Sequence, residues 1–140
     1  MLVALPLLAA CGAASPGAGP AAGVSPGAAS PEATYPLTVV DGVGRPVRLE
    51  HAPQRIVSYK ASSTETLFAI GAGGRVVGTD DFSDYPAAAK ALPKLGGVQA
   101  NVNLEALVAL QPDLVVTIGA RPDFATLLEP QRIPVIVLDY

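Results

Sequence analysis

Tryptophan is absent from this chain of 140 residues, and cysteine and histidine occur once each. The single cysteine, Cys11, rules out an intramolecular disulfide and any multi-cysteine metal site. The single histidine, His51, argues against a zinc or manganese centre built on several imidazoles. It sits among polar neighbours in a connector and is read as a surface residue without chemistry. Charge is sparse: nine basic against twelve acidic side chains leave a net charge of -3, so no nucleic-acid surface is expected.

The signatures of catalysis are missing too. The glycines at Gly71, Gly73 and Gly74 do not keep G-x-G-x-x-G spacing, because Val76 occupies the last position, so a dinucleotide fingerprint is unsupported. There is no phosphate-binding P-loop and no G-x-S-x-G nucleophile elbow. Ser62 and Ser63 follow an apolar run, but no histidine is poised to activate them, and helix capping is the expected role. Asp80, Asp81 and Asp84 do not have EF-hand spacing and are expected to be solvated loop acids. Neither a metal nor a cofactor is expected, and the chain is not read as an enzyme.

What remains divides into three parts. Met1–Ala10 is apolar but too short to span a bilayer as a helix. It leads through small residues into Cys11, and Leu8-Ala9-Ala10-Cys11 looks like a bacterial lipobox, in which the cysteine becomes the lipidated first residue. The usual basic residue before the apolar run is missing, which suggests a true start further upstream. Residues 12–34 are rich in Gly, Ala, Pro and Ser, carry no charge before Glu32, and are expected to be a disordered tether. Residues 35–140 are long enough for one domain with a real core.

That third part reads as an α/β fold. Leu37–Val40 and Pro46–Leu49 are two short strands around the turn Asp41-Gly42-Val43-Gly44. The stretch from Arg55 to Pro86 is a β-α-β unit: a strand at Ile56–Tyr59, a helix, and a strand at Arg75–Gly78. Ser62-Ser63-Thr64-Glu65 has the spacing of a capping box, which places the helix start at Ser62. Leu67, Phe68 and Ile70 form its apolar face and Gly71 ends it. A short helix at Ala87–Ala91 and a break or short strand at Leu92–Gly97 follow. Asn103 caps a helix from Leu104 to Leu110, which Pro112-Asp113 stops. Leu114–Ile118 is a continuous apolar strand, Asp123–Gln131 a helix, and Ile133–Leu138 a last strand. Alternation of this kind implies a Rossmann-like parallel sheet with right-handed crossovers. The chain closes on Asp139-Tyr140 directly after a strand, where such a lobe normally continues into a covering helix, which suggests a fragment or a truncated frame.

In open parallel sheets, ligands lie outside the carboxyl ends of the strands. Those ends carry Tyr59-Lys60-Ala61-Ser62, Asp80–Pro86 and Ile118-Gly119-Ala120-Arg121. Tyr59, Phe82 and Tyr85 offer faces for a large ring or chelate, and Lys60 and Arg121 can meet an anionic group. For each aromatic, packing at a strand end is the alternative.

Several motifs carry a family resemblance: Pro53-Gln54-Arg55-Ile56-Val57, Thr64–Gly71, Val76-Val77-Gly78, Ser83-Asp84-Tyr85-Pro86, Leu92–Gly97, and Asn103–Val115. In this order and spacing the chain resembles the N-terminal lobe of the substrate-binding lipoproteins of cobalamin and ferric-siderophore ABC importers. The resemblance runs from about Leu37 to Tyr140. It implies one half of a two-lobe (class III) clamp whose lobes are joined by a long rigid helix, with the ligand in the cleft. By matching positions, the cleft wall would be Tyr59 to Ser63, Asp81 to Tyr85, and the loop Gly97 to Val102, which contains Gln99. Glu105 would face an arginine pocket on the permease. The implied partners are an ABC permease with its ATPase, a corrinoid or ferric-siderophore ligand (haem ranking below), and the cell membrane through the lipid on Cys11, on its extracytoplasmic side. The alternatives are a receptor for haem or a metal ion, or a truncated lobe without function; an enzyme lobe would need a nucleotide fingerprint or an acid/base set.

Overall fold

Four apolar runs meet as one parallel sheet. They are β3 (Ile56–Ser58), β4 (Val76–Thr79), β5 (Leu114–Ile118) and β6 (Val135–Leu138), in the order β4-β3-β5-β6. The computed structural model describes residues 33–97, 102–119 and 122–139. Cys11, most of the spacer, Gln99 and Arg121 lie outside the described residues. The β-branched runs Ile-Val-Ser and Leu-Val-Val-Thr-Ile are buried almost throughout, as parallel strands covered on both faces must be.

Alternate side chains of the strands feed two cores. On one face Ile56, Val76, Leu114 and Val116 pack with Leu67 of α1 (Ala61–Ala69) and with Val47 and Leu49. The latter two belong to β2 (Pro46–Leu49), the partner of β1 (Leu37–Val40) in an antiparallel hairpin. On the other face Val57, Val115, Val135 and Val137 pack with Leu107 of α3 (Leu104–Ala109) and with Phe124 and Leu128 of α4 (Pro122–Leu128). The short α2 (Ala87–Lys90) lies between β4 and α3 in the chain. Gly78 is required by this packing: a Cβ there would come 2.5 Å from Leu110 Cδ1 and 3.1 Å from Leu95 Cδ1.

Two carboxylates lock the backbone from opposite ends. Asp113 accepts from the amides of Gln54 at 2.8 Å and Arg55 at 2.9 Å, while its own amide donates to the Arg55 carbonyl at 2.9 Å. The Arg55 guanidinium in turn donates to the carbonyls of Leu110 and Gln111 beyond the end of α3, where a cation also meets the negative helix end. The second lock is Asp41, in the hairpin turn. It accepts from the amides of Val43 and Arg45, pairs with the Arg45 guanidinium at 2.7 Å, and receives the Val137 amide at 3.4 Å. The neighbouring Gly42 amide donates to the Val137 carbonyl at 2.7 Å, so the turn closes the edge of β6. A Cβ on Gly42 would lie 2.3 Å from the Asp139 amide nitrogen, which leaves room for glycine alone.

The observed elements differ from the sequence reading in a few places. α1 starts at Ala61 after an extended Lys60, one residue early, and no side chain caps it. The capping box therefore does not form. The hydroxyls of Ser63 and Thr64 turn inward and donate to the Lys60 carbonyl at 2.8 and 3.2 Å, and Ser62 and Glu65 are left exposed on the first turn. Asn103, by contrast, caps α3 as expected, accepting from the Ala106 amide at 3.0 Å. Gly71, at φ +82°, closes α1, a conformation that glycine adopts without cost. α4 gives way after Leu128 to a 3-10 turn over Glu129–Gln131, because Pro130 has no amide to donate and its ring crowds the preceding turn. β6 begins at Val135 rather than Ile133, since Pro134 cannot donate to a ladder.

Replacing Gly42 with Ala should destabilise the domain by roughly 1–3 kcal/mol through overpacking against fixed backbone, read as a lowered denaturation midpoint. Burial alone would raise the pKa of Asp41, but hydrogen bonds from Arg45 and the Val137 amide, with the Arg45 charge, outweigh it and hold the carboxyl below its ordinary 3.8. A folded-state pKa below the unfolded value gives stability that is present above 3.8 and lost as the pH falls through the folded value. Asp41→Asn should flatten that acid limb in thermal melts recorded as a function of pH.

Candidate functional site

The sheet order makes a crevice. From β3 the chain crosses to β4 on one side, whereas β5 and β6 lie on the other. Successive crossovers therefore depart in opposite directions between β3 and β5, and the loops leaving their carboxyl ends separate there. Lys60 follows β3 and Gly119 follows β5, and a Cβ on Gly119 would lie 4.0 Å from Lys60 Nζ. The half-buried ammonium thus stands over the mouth of the crevice, at the amino end of α1. Both features favour a negatively charged group.

The loop after β4 is joined to the first turns of α1 through the Thr64–Ser83 contact. Its residues alternate between anchor and display. Asp80 and Ser83 have no exposed surface, while Phe82 is 62% and Tyr85 67% exposed. Asp81 is tied to the facing loop, its amide donating to the Gly96 carbonyl at 3.1 Å and its carboxylate accepting from the Gly96 amide at 3.2 Å. Lys94 reaches across beneath the loop and donates to the Ser83 carbonyl at 2.5 Å, Thr79 Oγ1 at 3.0 Å and the Ala89 carbonyl at 3.2 Å. The Ser83 hydroxyl bonds the Asp80 carboxylate and lies 2.8 Å from Thr64 Oγ1. Two large aromatic faces are thereby held outward on a loop fastened from below. Such faces can stack on a flat or ring-shaped ligand.

Not every residue singled out in the sequence reaches this surface. Tyr59 is fully buried, its ring 4.9 Å from that of Phe124 and its hydroxyl donating to the Gly97 carbonyl at 3.0 Å. It is a core residue and does not line a cleft wall. Ser63 is buried as well, with its hydroxyl 2.8 Å from Ser58 Oγ, so it too is withdrawn from any ligand. Both continue a strand or helix whose inner face points at the core, and strand-end position alone does not reveal the facing. Asp80 corrects the expectation of three solvated loop acids; only Asp81 and Asp84 are exposed. Ser62, Lys60, Phe82 and Tyr85 remain at the surface or half-buried on the carboxyl-end side, and Gln99 and Arg121 lie outside the described residues. Glu105 is exposed in the first turn of α3, and His51 is exposed on its connector. The residues missed from sequence are Lys94 and Ser58. A Ser inside an otherwise apolar strand was the available signal for the latter.

A second concavity, an open groove of about 990 Å³, lies at the opposite, amino-terminal ends of β5 and β6. It is lined by residues such as Arg48, His51, Asp113, Glu129 and Arg132. Its charges are mixed and no Phe or Tyr lines it, whereas the carboxyl-end edge displays two aromatic faces. Among the described residues no helix is long and apolar enough to cross a membrane, and no group of three or more His, Cys, Asp or Glu is placed to hold a metal ion.

Comparison with known proteins gives a consistent outcome. The family described as periplasmic binding protein matches residues 56–139. YvrC, an ABC transporter substrate-binding lipoprotein of Bacillus subtilis strain 168, is 38% identical over 82 residues, 59% of this chain and 26% of that protein. The vitamin B12-binding protein of Vibrio vulnificus strain CMCP6 is 38% identical over 71 residues, 50% of this chain and 26% of that protein. Among solved structures, a periplasmic heme binding protein from Pseudomonas aeruginosa superposes with a TM-score of 0.56 at 34% identity, over 63% of this chain and 32% of its own. The chain thus spans about a quarter of the length of the curated relatives it matches.

Because Phe82 and Tyr85 project into solvent, Phe82→Ala and Tyr85→Ala should each change stability by no more than about 0.5 kcal/mol. Denaturant titration checks this, and a larger loss would mean that the two rings serve packing and not display.

Proposed function

The chain belongs to the periplasmic binding protein family, and we propose that it forms one wall of the ligand cleft in the substrate-binding component of an ABC importer. The observation that carries this reading is the pair of exposed aromatics, Phe82 and Tyr85, on a loop tethered beside the switch-point crevice. In this reading the rings stack on the ligand, Lys60 and Arg121 meet its anionic groups, and Ser62 and Gln99 add polar contacts. The whole receptor works outside the cytoplasm, captures its ligand without transforming it, and hands it to a membrane permease driven by an ATPase. Cys11 carries the lipid that holds it to the membrane, with residues 12–34 as the tether.

A cobalamin-type ligand or a ferric siderophore fits the large aromatic surface best, and the similarity to a vitamin B12-binding protein favours the former. Haem is the second reading, supported by the likeness to a periplasmic heme binding protein. A tyrosine can ligate haem iron, and of Tyr59 and Tyr85 only Tyr85 is exposed, because Tyr59 is buried. Glu105, exposed at the start of α3, is the docking acid for a basic pocket on the permease. A carboxylate there is also favoured by the helix dipole, by a few tenths of a kcal/mol, so docking and helix stability do not compete.

Colour is the direct test, since corrinoids, haem and ferric chelates absorb visible light. Full-length protein titrated with cyanocobalamin, haemin and ferrichrome should retain one of them, and retention of none would remove the reading. Changing both Phe82 and Tyr85 to Ala should weaken that binding at least roughly ten-fold, about 1.4 kcal/mol. Glu105→Arg should leave ligand affinity intact and lower cellular uptake; undiminished uptake would sink the docking role.

A further inference from the structure

Five polar side chains without exposed surface lie in a row beneath the carboxyl ends of β3 and β4: Ser63, Ser58, Thr64, Ser83 and Asp80. Ser63 Oγ is 2.8 Å from Ser58 Oγ, Ser58 Oγ is 2.8 Å from Thr64 Oγ1, and Thr64 Oγ1 is 2.8 Å from Ser83 Oγ. Ser83 then bonds the Asp80 carboxylate. One end of the row therefore closes on Asp80, and the other lies against the Lys60 carbonyl, 2.8 Å from Ser63 Oγ and 3.2 Å from Thr64 Oγ1, with the four hydroxyl protons shared among these contacts.

We propose that this buried hydroxyl row is a positioning device, coupling the Lys60 segment and the Phe82–Tyr85 loop into one preformed ligand surface. None of its members can touch a ligand. Their placement explains them better than packing does, because alanine or valine would fill the same space without hydrogen bonds to satisfy. A row of hydroxyls has directions that an apolar contact lacks, so it admits one arrangement of the two loops. Ser83 lies between the two displayed aromatics in the chain, so its inward bond fixes the backbone from which both project. Asp80 Oδ2 is buried without a protein hydrogen-bond partner, a cost retained in exchange for the anchor that Oδ1 provides. A surface held in its binding geometry before the ligand arrives loses less entropy on binding. The proposal rests on the ligand reading given above for what the surface meets, and on the hydrogen bonds alone for the coupling.

The coupling is read by amide hydrogen exchange on ligand-free, full-length protein carrying Thr64→Val, which removes the central hydroxyl at nearly constant shape. Exchange in residues 80–86 should rise roughly ten-fold or more, while amides of β5 and β6 keep their wild-type rates. Thr64→Ser restores the hydroxyl and should restore protection, and Ser83→Ala should reproduce the effect at the far end. Affinity for whichever of cyanocobalamin, haemin and ferrichrome the wild type retains should fall in step with loop protection. Unchanged exchange in residues 80–86, or an equal rise in β5 and β6, would overturn the proposal. A failure of the ligand reading shows differently, as wild-type protein that retains no chromophore while the exchange pattern still holds.

Discussion

A parallel sheet of four strands has to be covered on both faces, and the rest of this structure follows from that requirement. One crossover helix, α1, covers only part of its face, so the β1–β2 hairpin is folded over the remainder through Val47 and Leu49. α3 and α4 cover the opposite face through Leu107, Phe124 and Leu128. The strand order then leaves a reversal between β3 and β5, and the reversal opens the crevice over which Lys60 stands. The candidate site is thus a product of how the sheet is covered.

Three aspartates show how position decides the work of one side-chain type. Asp113 joins the amino ends of β3 and β5 by accepting backbone amides. Asp41 joins the hairpin turn to the last strand and takes an arginine partner, which keeps it charged despite burial. Asp80 anchors a loop from within and presents nothing to solvent. Hydrogen bonds to a buried or half-buried carboxylate are among the stronger ones available, and they are directional. They fix geometry where apolar contact would allow sliding.

The same distinction bears on the residues through which the chain resembles its relatives. Pro53–Val57 and Gln111–Val115 meet in the Arg55–Asp113 clamp, far from the carboxyl ends of the strands. They serve the assembly of the sheet. Leu92–Gly97 supplies Lys94 and the Gly96 contacts, which hold the aromatic loop. Ser83–Pro86 combines an inward anchor, Ser83, with the exposed ring of Tyr85.

The sequence by itself determined the element order, the parallel α/β class, the cap at Asn103 and the close of α1 at Gly71. These depend on local preferences and on runs of apolar residues, which need no knowledge of the partner strand. Facing, however, is a tertiary property. Tyr59 and Tyr85 are alike in composition and both follow a strand, yet one packs on Phe124 and the other stands in solvent. Ser62 and Glu65 have the spacing of a cap yet stay exposed, while Ser63 and Thr64 between them turn inward, because Ser58 and Ser83 offer hydrogen-bond partners that only the folded chain brings within 2.8 Å. Whether a polar residue meets water or another buried polar group depends on what is packed against it, and the tertiary structure alone decided that.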